Sequence, residues 1–144
     1  MESHGKNLRK GRCSQPGGMY LLTWATDRRN PWFADWVLGR LVVMSLRRVH
    51  DRGDVESLAF VVMPDHVHWL IRLGDRLLQN LMQDVKSYSG FHVKQSIQRH
   101  SEAIPVAIWQ KSYHDHALQG RKCSRCSALY RDESGACRHR QIST

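Results

Sequence analysis

Hydrophobic and polar positions fall into blocks of two distinct periods along this chain. Met19 to Thr26 (MYLLTWAT) follows a Pro16-Gly17-Gly18 breaker and is rich in residues that suit a pleated strand, predicting a first strand. After the loop Asp27-Arg28-Arg29-Asn30-Pro31, Asp35 is a plausible N-cap for a helix running to about His50. Leu38, Val42, Leu46 and Val49 recur there at helical spacing, with Leu41 beside them and Arg40, Arg47 and Arg48 in polar positions. Asp51-Arg52-Gly53-Asp54 stops this helix. Ser57 to Met63 is almost continuously apolar, which fits a central strand. Beyond Pro64-Asp65, His66 to Leu73 alternates: Val67, Trp69, Ile71 and Leu73 share one face, His66, His68, Leu70 and Arg72 the other. The two runs read as an antiparallel hairpin. A second long amphipathic helix is expected from Arg76 to about His100, with Leu77, Leu81, Val85 and Tyr88 along its stripe. Ile104 to Trp109 is a weaker strand candidate, followed by Ser112 to Leu118. The order strand, helix, strand, strand, helix, strand predicts an α+β fold of the ferredoxin-like split βαβ kind, one antiparallel sheet with two long helices on one face.

Length and charge narrow the class. A chain of 144 residues is one domain in the simplest reading. No apolar run approaches the roughly 20 residues that span a bilayer. Basic residues between Met1 and Gln15 have no apolar stretch behind them, so no signal peptide is expected and the cytoplasm is the default location. Lys and Arg number 22 against 13 acids, a net charge of +9, which makes nucleic acid the leading partner. A solvated basic surface with no specific partner is the bland alternative. Arg28, Arg29, Arg47, Arg48, Lys86 and Lys111 are candidate phosphate contacts. Trp24 and Trp69 are expected in the core, whereas Trp109, beside Gln110 and Lys111, is the aromatic candidate for stacking on DNA bases.

Chemistry concentrates at His66 and His68. Residues i and i+2 of a strand point to the same side with Cα atoms roughly 6.5 to 7 Å apart, so two imidazoles can converge on one metal ion. Two protein ligands leave room for a third side chain, water and a phosphate oxygen, as an open catalytic site requires. A bare His-x-His pair is common on exposed strands; the surrounding string sharpens it. Phe60-Val61-Val62-Met63-Pro64-Asp65-His66-Val67-His68-Trp69-Leu70 resembles the signature VVMPDHVHLL of REP-associated tyrosine transposases and their insertion-sequence relatives, the single-tyrosine HUH class. Tyr20 to Trp24 with Arg28 to Pro31, Leu81 to Tyr88, and Trp109 to Leu118 are similar to further segments of that family in the same order, covering about residues 11 to 119.

The resemblance implies a mechanism. A tyrosine hydroxyl attacks a DNA phosphodiester while Mg²⁺ or Mn²⁺, held by the two histidines, stabilises charge on the phosphate. A 5′-phosphotyrosine forms, a 3′-OH is released, and the strand is later rejoined. The substrate implied is single-stranded DNA beside a palindromic hairpin. His114 and His116 repeat the i, i+2 spacing; a second ligand pair is conceivable, and a positional or DNA-contacting role for His114 is favoured. Oligomeric state stays open, a homodimer included.

The tail departs from the family pattern. The tyrosine of such proteins lies in a final helix reading approximately RYIVxNPVRAGLV, shortly after the HDHAL segment. Here residues 122–144 show little apolar periodicity. Codons can be chosen for Cys123 to Arg140 that, read one base later, encode VRAVARYIVMNPVRAGIV, the missing helix with its tyrosine and an asparagine one turn on. A reading-frame shift therefore accounts for the tail. It divides the chain into a transposase-like domain over residues 11–121 and an out-of-frame tail over 122–144, and predicts a copy impaired by loss of the nucleophile. Tyr130 overlaps the lost codon and is only a stand-in. Two alternatives stand beside this reading: a remnant that binds hairpin DNA without cleaving it, and a zinc-dependent basic interaction protein using Cys123, Cys126, Cys137 and His139.

Overall fold

The computed structural model describes residues 14–118. Strand β1 (Met19–Ala25) leads through two short 3-10 turns into helix α1 (Trp36–Asp51), then β2 (Val55–Val62), β3 (His66–Leu73), helix α2 (Leu78–His100) and β4 (His114–Ala117). The four strands form one sheet in the order β2-β3-β1-β4, every neighbouring pair antiparallel. This is the expected split βαβ arrangement. No helix among the described residues is long and apolar enough to cross a membrane.

Alternation decides which face meets the helices. Tyr20, Leu22 and Trp24 of β1 and Val67, Trp69, Ile71 and Leu73 of β3 are buried. They pack with Leu38, Val42, Leu46 and Val49 of α1 and Leu81, Met82, Val85 and Val93 of α2. Each large aliphatic side chain so removed from water contributes about 1.5–3 kcal/mol. Asp35 caps α1 as its spacing predicts, its Oδ1 accepting from the Val37 amide at 2.9 Å.

Three expectations are corrected. Among the described residues the Ser57–Met63 run belongs to an edge strand, not a central one: β2 pairs with β3 alone. Leu58, Phe60, Val61 and Met63 are accordingly exposed, and the register shifts between Ser57 and Ala59. Ile104 to Trp109 is no strand: Pro105 lacks an amide donor, and the segment's strand-like pairing is limited to an isolated bridge between Thr26 and Trp109. The fourth strand is the later one. Leu77 lies outside the apolar stripe, exposed at the N-cap, and Leu78 takes the buried place.

An ionic cluster ties α1 to α2. Asp84 accepts from Arg48 and Arg76, each at 2.9 Å, and from Arg52, while Asp54 accepts from Arg52 and Arg76 at 2.6 and 3.0 Å. Partial burial opposes ionisation of Asp84, but the hydrogen bonds from Arg52, Arg48 and Arg76 outweigh it and hold the carboxyl far below the usual range. A depressed folded-state pKa gives stability that is full above the unfolded value of about 4 and is lost as pH falls below it. Asp84→Asn should therefore lower stability by about 1.5–3 kcal/mol at neutral pH. Thermal melts from neutral pH down to about pH 3 should show the gap between the two proteins narrowing in acid.

Candidate metal centre and nucleic-acid face

His66 and His68 project from β3 on the sheet face opposite the helices, as the alternation requires. Thr23 of β1 lies directly beside His68 in register, and Ala25 beside His66. Their imidazole rings stand at 87° with centroids 4.8 Å apart, and the two Nε2 atoms are 3.1 Å apart. Two nitrogens at about 2.0–2.1 Å from one cation sit about 2.8–3.4 Å apart across the usual tetrahedral or octahedral angles. The pair thus has the bite of a chelate. Without a cation the same separation is a hydrogen bond whenever one nitrogen carries a proton, so a metal must displace that proton.

The outer nitrogens are both occupied. His66 Nδ1 lies 2.7 Å from Asp65 Oδ1, and His68 Nδ1 lies 2.9 Å from Thr23 Oγ1. With Nδ1–H donating to each oxygen, both Nε2 lone pairs are left for a ligand, the arrangement that orients metal-binding histidines. Asp65 is held in turn by Arg29, whose Nε is 3.0 Å from Oδ2. The Asp65 carboxyl is lowered by its hydrogen bond to His66, against a smaller desolvation effect, with Arg29 adding to the lowering. Among the described residues no third His, Cys, Asp or Glu completes a metal cluster with the pair. The residues present fit two ligands of an open site, with neutral or external donors to fill the rest.

Backbone bonds hold the turn that carries His66. The Asp65 carbonyl accepts from the Thr26 amide at 2.9 Å, and the Pro64 carbonyl from the Phe33 amide at 3.0 Å. Arg28 and Arg29 adopt positive φ of 53° and 56°, a conformation costing roughly 1–2 kcal/mol for a residue with a Cβ. Both arginines are exposed just past the end of β1, and Arg29 reaches the turn before His66 through Asp65. His114 of β4 lies opposite Thr23, so His68, Thr23 and His114 form one row across three strands.

The remaining candidates sit elsewhere. Lys111 is exposed. Lys86 directs its ammonium at the backbone carbonyls of Gln110 and Ser112, pinning that segment to α2. Trp109 corrects the expectation of an aromatic offered to bases: it is 8% exposed. Its indole N–H donates to Ser89 Oγ at 2.9 Å, and it packs edge-on against Trp24 and beside Phe33. Gly90 lies against this ring, where a Cβ would meet Trp109 at 3.4 Å. Thr23 and Asp65 are the functional candidates that sequence reasoning missed. Asp65 adjoins His66 in the chain and was findable; Thr23 is 45 residues from His68 and is revealed only by register. The expected tail, with Tyr130 and the cysteines Cys123, Cys126 and Cys137 with His139, lies outside the described residues.

Removing the Thr23 hydroxyl while keeping its shape tests this arrangement. Thr23→Val should weaken Mn²⁺ binding by about 10–100-fold, with Thr23→Ser close to wild type, in a calorimetric titration.

No curated protein matches the chain. Among solved structures it is similar to a protein assigned as a transposase from Deinococcus radiodurans R1, with 23% identity, a TM-score of 0.61, and coverage of 84% of this chain and 94% of that one. It is also similar to a REP-associated tyrosine transposase bound to a REP hairpin, with 21% identity, a TM-score of 0.58, and coverage of 83% and 67% respectively. Likeness at these identities establishes a shared fold. The family model described as IS200-like transposase matches residues 14–127, a span that takes in the whole sheet, both helices and the histidine pair. On that match, the chain belongs to the IS200-like transposase family.

Proposed function

We propose that this chain binds single-stranded DNA beside a hairpin and sets one phosphate against a divalent cation, Mg²⁺ or Mn²⁺, held by His66 and His68. The observation that carries this reading is the convergence of the two Nε2 atoms at 3.1 Å, with both Nδ1 atoms engaged. A similar fold is solved on a REP hairpin, which supports the same class of partner for this chain. When bound, the cation supplies electrostatic stabilisation of a phosphate. Asp65 and Thr23 fix the two rings; Arg29, held on Asp65, His114, opposite Thr23, and exposed Arg28 take neighbouring phosphates. Lys111 stands farther along the same strand path.

Strand transfer in this reading needs a tyrosine. Its oxygen attacks phosphorus, its proton is lost, and the 3′ oxygen leaves and is protonated, so the phosphoester is kept as 5′-phosphotyrosine for rejoining. The attack requires that hydroxyl within about 3–3.5 Å of the phosphorus. The sequence after Lys122 lacks the apolar helical spacing of the segment that carries such a tyrosine. The chain as written is therefore a strand binder impaired in transfer.

Two measurements test this. Affinity for a hairpin with a single-stranded flank should exceed that for blunt duplex of equal length. A footprint of about three phosphates should lose roughly tenfold or more between about 50 and 200 mM salt. Equal affinity for both DNAs would leave only polyanion attraction. On a denaturing gel with labelled hairpin and Mn²⁺, the chain as written should give no covalent band. A version carrying VRAVARYIVMNPVRAGIV from position 123 should give one, lost again when its tyrosine becomes phenylalanine. A band from the unrepaired chain that Tyr130→Phe abolishes would overturn the account of the tail.

A further inference from the structure

A second feature lies on the other flank of β1. The segment 106–111 runs alongside α2, and between them opens a cleft of about 360 Å³ lined by Phe91, Lys94, Val106, Ile108, Gln110 and Lys111 among others. Among the described residues no Asp or Glu lines it. Its apolar wall faces water at a cost: Phe91 is 62% exposed and Val106 94%. Lys94 reaches across the opening to the Val106 carbonyl at 3.1 Å, which fixes its ammonium at the rim without neutralising its charge. Lys111 stands exposed at the far end.

Place in the fold gives the cleft a direction. Gln110 donates its amide to the Ala25 carbonyl at 3.0 Å, and Ala25 pairs with His66. The Gln110 backbone is thus two strand spacings, roughly 10 Å, from that of His66. A flat apolar wall, cationic rims and no acid form the combination that holds a base by its face and a phosphate by its charge. A duplex keeps its bases stacked inward and cannot present one.

We propose that the cleft between α2 and residues 106–111 receives an unpaired nucleotide of a single DNA strand, its base against Phe91 and Val106 and its phosphate at Lys94 and Lys111. This rests on the reading that the chain binds single-stranded DNA. It adds a second hold on the strand, separate from the histidine pair, which sets where along the strand the phosphate at His66 and His68 falls.

Val106 is nearly all in water, so changing it tests the cleft without disturbing the core. The full chain is titrated into a labelled single strand of roughly 12 nucleotides and followed by fluorescence anisotropy. Val106→Asp, which sets a carboxylate beside the phosphate, and Phe91→Ala, which removes the stacking wall, should each weaken binding about tenfold. Melting temperature and Mn²⁺ affinity should stay at wild-type values. Val106→Asn should lose less than Val106→Asp, since it lacks the charge. Wild-type affinity in both Val106→Asp and Phe91→Ala overturns the cleft assignment while leaving strand binding intact, as when another part of the chain covers the cleft. Failure of the wild-type chain to bind the strand overturns the cleft and the proposed function together.

Discussion

Burial of one face of β3 is the constraint on which the candidate site depends. Val67, Trp69 and Ile71 are fully buried against both helices, and Trp69 also anchors its indole N–H on Ser57 at 2.7 Å. Side chains on a strand alternate, so holding these three inward holds His66 and His68 outward, side by side. A slip of one residue would bury both imidazoles and expose the tryptophan, at a cost of several kcal/mol for the lost apolar burial alone. The same packing sets the register with β1 that brings Thr23 to His68.

Where the hairpin turns, the chain is held by backbone bonds more than by packing. Thr26 is fully buried, and its hydroxyl lies 2.8 Å from the Asn30 carbonyl and 3.1 Å from that of Asp65. One side chain thereby locks the arginine loop to the turn that precedes His66. The left-handed backbone at Arg28 and Arg29 is stored strain in this clamp. It is offset by the hydrogen bonds around it, and it leaves Arg29 in contact with Asp65. Positive charge, carboxylate and imidazole then stand in line, which keeps the His66 ring oriented.

Residues with the chemistry of DNA contacts divide between holding the fold and facing outward. Lys86 and Trp109 secure the 108–112 segment, one by capping carbonyls and the other by filling the space over Ser89 and Gly90. Arg48 and Arg52 serve Asp84, with Arg48 also 4.4 Å from the centre of the Tyr88 ring. The net charge of +9 therefore overstates what is offered to a polyanion.

Local pattern alone determined the element order, the split βαβ class, the face on which the histidine pair lies and the Asp35 cap. Each depends on spacing within a few residues, through the periods of helix and strand. Asp65 beside His66 was legible for the same reason. Tertiary structure decided what depends on distant neighbours. Among the described residues it made the apolar Ser57–Met63 run an edge strand, because only pairing tells which strands flank β3. It buried Trp109, because Ser89 of a separate helix supplies its hydrogen bond and Trp24 and Phe33 pack against its ring. It brought Thr23 to His68 across 45 residues, because register is set by the packed core and leaves no mark at either position.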